Sequence, residues 1–99
     1  RRLALLKDGA TFVNTARGEL VDEPALVREL ASGRIDAGLD VFAAEPHVPP
    51  ELFDLPNVVL TPHIGSATFT ARHGMTRLVV DNLLAAAQGR SLVTPVEPR

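Results

Sequence analysis

Apolar positions follow two different spacings along this chain, and the switches between them set out its elements. Leu3, Leu5 and Leu6 precede Lys7-Asp8-Gly9, which reads as the last turn of a helix closed by glycine. Ala10 to Thr15 is a short run suited to a strand, stopped by Arg17-Gly18. Asp22-Glu23-Pro24 is a helix start, because Asp caps free N–H groups and Pro is tolerated in a first turn. Leu26, Val27, Leu30 and Ala31 then recur at helical spacing until Gly33. Ile35 to Phe42 is more continuously apolar than alternating, as buried strands of parallel sheets are. Ala43 to Pro56 carries Pro46, Pro49, Pro50 and Pro56 and predicts an extended loop with one short turn at Glu51 to Leu55. Asn57 to Thr61 predicts a third strand, stopped by Pro62. Ser66 or Thr68 can cap a long helix to about Gln88, with Met75, Leu78, Val79, Leu83 and Ala86 on one face and Gly89 as the stop. An extended tail follows from Ser91 to Arg99.

Strands alternating with helices predict parallel βα units. The expected fold is α/β: part of a doubly wound, Rossmann-like parallel sheet with helices on both faces. Three strands make a narrow sheet for that class, and its edges are normally covered by neighbours. The chain also begins at Arg1, inside an element. Upstream residues are therefore expected, and no signal peptide is visible.

The totals narrow the function classes. The 99 residues amount to about one small domain, 45% apolar and 22% charged. A net charge of −2 with interspersed signs gives no basic footprint for nucleic acid and no polybasic membrane patch. There is no Cys, which rules out disulfides and thiolate metal sites and fits a cytoplasmic location. No apolar run approaches the ~20 residues of a membrane span.

In open α/β sheets, ligands gather beyond the carboxyl ends of the strands. Arg17 follows the first strand, Asp40 and Glu45 the second, and His63 the third. A guanidinium fork suits a carboxylate and an adjacent carbonyl oxygen. An imidazole can protonate a forming alkoxide, and a carboxylate beside it would orient the ring and favour its charged form. Together they fit hydride reduction of a 2-keto acid. Taken singly, each has an ordinary structural reading: a solvated Arg at a turn, loop polarity at Glu45, a His placed by a Thr-Pro-His turn. Spacing alone leaves that choice open. Asp40 stands apart, because a carboxylate inside an apolar run needs partners. His47 and His73 read as surface residues.

Three blocks in order carry a family resemblance: Val13-Asn14-Thr15-Ala16-Arg17-Gly18 with Leu20-Val21-Asp22-Glu23, Gly38-Leu39-Asp40-Val41-Phe42 leading to Glu45-Pro46, and Asn57 to Thr68 around Thr61-Pro62-His63-Ile64-Gly65-Ser66. Over nearly its whole length the chain resembles the D-isomer-specific 2-hydroxyacid dehydrogenases. The resemblance implies that residues 1–99 are the C-terminal part of an NAD(P)-binding domain, with helix 68–88 leading back towards a separate substrate domain. It implies Arg17 as the substrate-binding arginine, His63 as the general acid and Glu45 as its partner. It also implies Thr15, Ala16, Arg17, Asp40, His63, Gly65 and Ser66 as contacts on the nicotinamide side. NAD or NADP would be the cofactor, a small 2-keto acid the substrate, and a homodimer the assembly. Glu45-Pro46-His47-Val48-Pro49 is most similar to the glyoxylate/hydroxypyruvate reductase branch.

Two features depart from the family pattern. The glycine-rich phosphate turn is absent and would lie upstream of Arg1, as would the residue choosing NAD or NADP. Asp36-Ala37-Gly38 is shorter than the usual Gly-Ala run, which predicts a local adjustment near Asp40. The reductase reading stands beside two others: a dinucleotide-sensing corepressor of the same fold, and a fragment inactive by itself.

Overall fold

A computed structural model describes residues 1–97, and the chain divides into two compact units after Gly65. The first unit holds three strands, β1 (Thr11–Asn14), β2 (Asp36–Leu39) and β3 (Val58–Leu60), all parallel and ordered β1-β2-β3. β1 and β2 are joined by the helix α1 (Glu23–Ala31). Asp22 caps α1 by accepting the Ala25 N–H at 3.0 Å, and Gly33 ends it in the left-handed conformation (φ 71°). The proline-rich link from β2 to β3 contains an isolated bridge between Ala44 and His47 and a 3-10 turn, Pro50–Asp54, one position earlier than the sequence predicts.

One face of the sheet is the core. Leu26 and Leu30 of α1, one turn apart, pack with Ile35, Ala37, Leu39, Phe42 and Leu52. Leu30 and Ile35 are fully buried. On the opposite face Val13, Gly38 and Val59 lie in register across the three strands, and both valines are exposed.

Each strand is shorter than its apolar run. β1 stops at Asn14, where the chain turns, and β3 stops at Leu60 before Pro62. Val41 and Phe42 are therefore buried without a partner strand, and β2 ends at Leu39 rather than Phe42. No local adjustment accompanies the shortened Asp36-Ala37-Gly38 segment, since pairing runs unbroken from Asp36 to Leu39. The opening leucines form a 3-10 turn, Leu3–Leu5, instead of an α-helical end. Arg34 holds that turn by donating to the Leu3 and Leu6 carbonyls while paired with Glu29 at 2.8 Å.

The second unit is the helix α2 (Phe69–Ala87) and the tail. Thr68, not Ser66, is the cap, accepting the Ala71 N–H at 3.1 Å, and Gly89 (φ 64°) ends the helix. The tail is tied down: Asn82 Oδ1 accepts the Val93 and Thr94 N–H groups. Met75, Leu78, Val79 and Leu83 are all exposed, and Ala85 is the buried residue of α2.

Candidate functional site

The loop after β1 is built by one buried side chain. Asn14 Oδ1 accepts the Ala16 N–H at 3.1 Å, and its Nδ2 donates to the Arg17 carbonyl at 2.9 Å. An Asx turn of this kind takes the chain off the strand and out to the rim. Thr15, Ala16 and Arg17 are exposed there, and the Arg17 guanidinium rests on the Ala16 carbonyl at 2.7 Å.

Asp40, the residue after β2, is 4% exposed and organises the turn after β3. One carboxylate oxygen accepts the Thr61 hydroxyl at 2.5 Å and the Ile64 N–H at 2.8 Å, and the other accepts the Gly65 N–H at 2.7 Å. Those bonds, the Thr61 hydroxyl foremost, hold its pKa below the ordinary carboxylate value. The turn wound around Asp40 carries His63 at φ 53°, the left-handed region that a residue with a side chain enters only when its surroundings enforce it.

His63 is aimed by a second carboxylate. Its Nδ1 lies 2.8 Å from Glu45 Oε2, while Glu45 Oε1 accepts the Phe42 N–H at 3.0 Å. The bond from His63 is the main reason that the Glu45 pKa is lowered; the Phe42 N–H follows, and the charge of Arg17 contributes. Both side chains are partly exposed, so the pair adds little to stability and serves to orient the ring. Nδ1 is committed to the carboxylate, and Nε2 remains for a ligand. Beside the pair, Phe42, Pro46, Val48 and Pro62 wall a cleft of about 390 Å³.

Arg17, Glu45 and His63 thus stand at the carboxyl ends of successive strands, with the last two in direct contact. Thr15, Ala16, Asp40 and Gly65 share that rim, and Ser66 begins the second unit. His47 and His73 are exposed, and His73 stacks on Phe69. Sequence reasoning gave no role at the site to Asn14, Gly18, Glu23 or Thr61. The signal for Thr61 was present in Asp40, a carboxylate in an apolar run that required donors. Among the described residues no group of His, Cys, Asp and Glu could hold a metal ion, and no helix is long and apolar enough to cross a membrane.

Residues 1–65 match the family model of the D-isomer specific 2-hydroxyacid dehydrogenase NAD-binding domain. The chain belongs to that family. It is 57% identical over 89 residues to a glyoxylate reductase of Pyrococcus horikoshii, a match covering 89% of this chain and 27% of that protein. An NADPH-dependent glyoxylate/hydroxypyruvate reductase of Sinorhizobium meliloti, solved with citrate, superposes with a TM-score of 0.89 at 47% identity, covering 95% of this chain and 30% of the relative. The same enzyme solved with NADP and malonate gives a TM-score of 0.80 at 49% identity, covering 87% and 27%. The chain therefore spans less than a third of the length of these relatives.

The rim suits a nicotinamide group of this family. A Cβ on Gly65 would lie 3.0 Å from Asp40 Oδ2 and 3.9 Å from the Thr15 Cβ. The loops after β1 and β3 therefore run side by side, and Thr15, Ala16 and Gly65 leave small groups there. Three of the roughly four acceptor positions of the Asp40 carboxylate are already filled from within the chain.

Proposed function

We propose that this chain supplies the catalytic acid and half of the cofactor site of an NAD(P)-dependent reductase of small 2-keto acids, of the glyoxylate or hydroxypyruvate type. The observation that carries this reading is the 2.8 Å contact of His63 Nδ1 with Glu45 at the sheet's carboxyl rim, one loop from Arg17. A nicotinamide held beside Thr15, Ala16 and Gly65 would supply the hydride for the keto carbon. Arg17, as a planar fork, binds the substrate carboxylate and polarises the neighbouring carbonyl. His63 gives its Nε2 proton to the oxygen as the carbonyl becomes an alcohol, and takes it back in the reverse direction. Glu45 acts through His63, fixing the ring by its contact with Nδ1. Thr15, Ala16 and Gly65 contact the nicotinamide side, with Asp40 offering its one remaining acceptor position.

In the whole protein, residues 68–88 lead back towards a substrate domain. Relatives whose names specify glyoxylate reduction support the substrate class, and a relative holding NADP supports the cofactor. We place the enzyme in the cytoplasm as a homodimer, in line with the resemblance of its sequence.

The test is turnover by the whole protein of glyoxylate and hydroxypyruvate, with NADH and NADPH supplied separately. Oxidation of either cofactor that depends on the keto acid is expected. Cofactor binding with no turnover of any 2-keto acid would overturn the reading in favour of a dinucleotide sensor.

A further inference from the structure

The peptide joining Phe42 to Ala43 is held by Gly18 and Glu23, two residues that the reaction itself does not use, and it in turn holds Glu45. Gly18 is buried against it so closely that a Cβ there would collide with the Phe42 carbonyl carbon and the Ala43 nitrogen. Glu23 Oε1, from the first turn of α1, accepts the Ala43 N–H at 3.0 Å. Glu45 Oε1 accepts the Phe42 N–H at 3.0 Å, and the other oxygen of Glu45 meets His63 at 2.8 Å. These contacts are continuous: the turn that begins at Arg17, the start of α1, the peptide after β2, the Glu45 carboxylate and the His63 ring.

We infer that Glu23 is a positioning residue for the Glu45–His63 pair, acting through the Phe42–Ala43 peptide that it and Gly18 hold in place. Val41 and Phe42 have left the sheet, so no ladder bonds fix this peptide, and α1 supplies the missing anchor. If Glu23 lets go, the peptide is free to rotate and the Phe42 N–H no longer points at Glu45. The carboxylate then loses the bond that holds one oxygen back and presents the other to the imidazole. Gly18 is the second support, because no larger residue fits against the peptide. The same contact sets Arg17, its chain neighbour, in fixed relation to the Glu45 loop. In catalysis this matters because a displacement of about 1 Å can cost up to ~100-fold in rate.

The inference rests on the reductase reading only for its catalytic consequence, so the experiment has two readouts. Whole protein labelled with 15N-histidine is compared as wild type, Glu23→Ala, Glu23→Gln and Gly18→Ala, with folding checked by circular dichroism. The first readout is the downfield proton resonance of His63 Nδ1–H bonded to Glu45. It should be lost or shifted upfield in Glu23→Ala and kept in Glu23→Gln, whose amide oxygen still accepts from Ala43. The second readout is kcat for keto-acid reduction, which should fall by about 10- to 100-fold in Glu23→Ala with KM unchanged, and be largely restored in Glu23→Gln. Gly18→Ala, if it folds, should resemble Glu23→Ala. A wild-type resonance in a folded Glu23→Ala protein would overturn the inference whatever the turnover shows. Loss of the resonance there but not in Glu23→Gln would uphold it even if the wild type reduced no 2-keto acid.

Discussion

His63 and Glu45 stand 18 positions apart in the chain and meet at 2.8 Å, with the imidazole Nδ1 against one carboxylate oxygen. The contact decides which ring nitrogen is committed and which is available for proton transfer. Replacing His63 by Gln keeps a polar side chain but removes the transferable proton. In the whole protein, kcat should fall by about 100-fold or more, while the dissociation constant for NAD(P)H changes little. Steady-state kinetics with cofactor fluorescence titration reads both, and unchanged turnover would remove the acid assignment.

Asp40→Asn should disturb the same histidine from behind. The carboxylate accepts three donors, and an amide can offer only one oxygen while its NH2 faces N–H groups at Ile64 or Gly65. The turn would relax and His63 would leave its left-handed backbone position. We expect kcat to drop by up to about 100-fold together with a lower melting temperature. Thr61→Val removes one donor of the three and should have a smaller effect on both. Equal effects from the two variants would argue against Asp40 as the organiser.

The two carboxylates also set an acid limit on stability. Asp40 and Glu45 both have pKa values below their unfolded ones, through the Thr61 hydroxyl and the His63 ring respectively. Such groups stabilise the fold above the unfolded carboxylate pKa of about 4, and that stabilisation is lost as pH falls through the lower folded values. Melting temperature should therefore be insensitive to these groups between about pH 5 and 8 and decline below about pH 4. Asp40→Asn should be less stable at neutral pH and lose less on acidification, whereas Glu45→Gln, whose pair with His63 is partly exposed, should show the same trend only weakly. A parallel decline in all three proteins would contradict this account.

The core makes a different demand. Leu30 of α1 is fully buried in the cluster with Ile35, Leu39 and Leu52. Leu30→Ala should destabilise the domain by about 2–5 kcal/mol, the transfer loss plus the cavity left behind. Denaturant unfolding of the whole protein measures it. A loss below about 1 kcal/mol would mean that the space is refilled by α1 or by neighbours.

Much of this was legible in the sequence. The cap at Asp22, the stops at Gly33 and Gly89, three strands and two helices all follow from local rules. Those rules need only a few neighbouring residues to operate. The rim positions of Arg17, Glu45 and His63 follow from the parallel topology those elements imply. Strand ends were less legible, because the apolar run through Phe42 reports burial, whereas pairing ends where β1 and β3 turn away. The spacing of Met75, Leu78, Val79, Leu83 and Ala86 placed them on one face of α2, but spacing does not say what covers a face, and here these residues are exposed, as are Val80 and Leu84.

By itself the sequence determined the order of the three strands and the two α-helices, the apolar face of α1 that enters the core, and which chemical groups reach the sheet's carboxyl rim. Only the tertiary structure decided that Asp40 winds the turn after β3 around its carboxylate. It likewise placed Glu45 on Nδ1 of His63 and set Glu23 and Gly18 against the peptide that steers Glu45. The reason is physical: caps, stops and periodicities arise between residues a few positions apart. These contacts join segments some 20 residues distant, and they exist only once packing has brought the loops together.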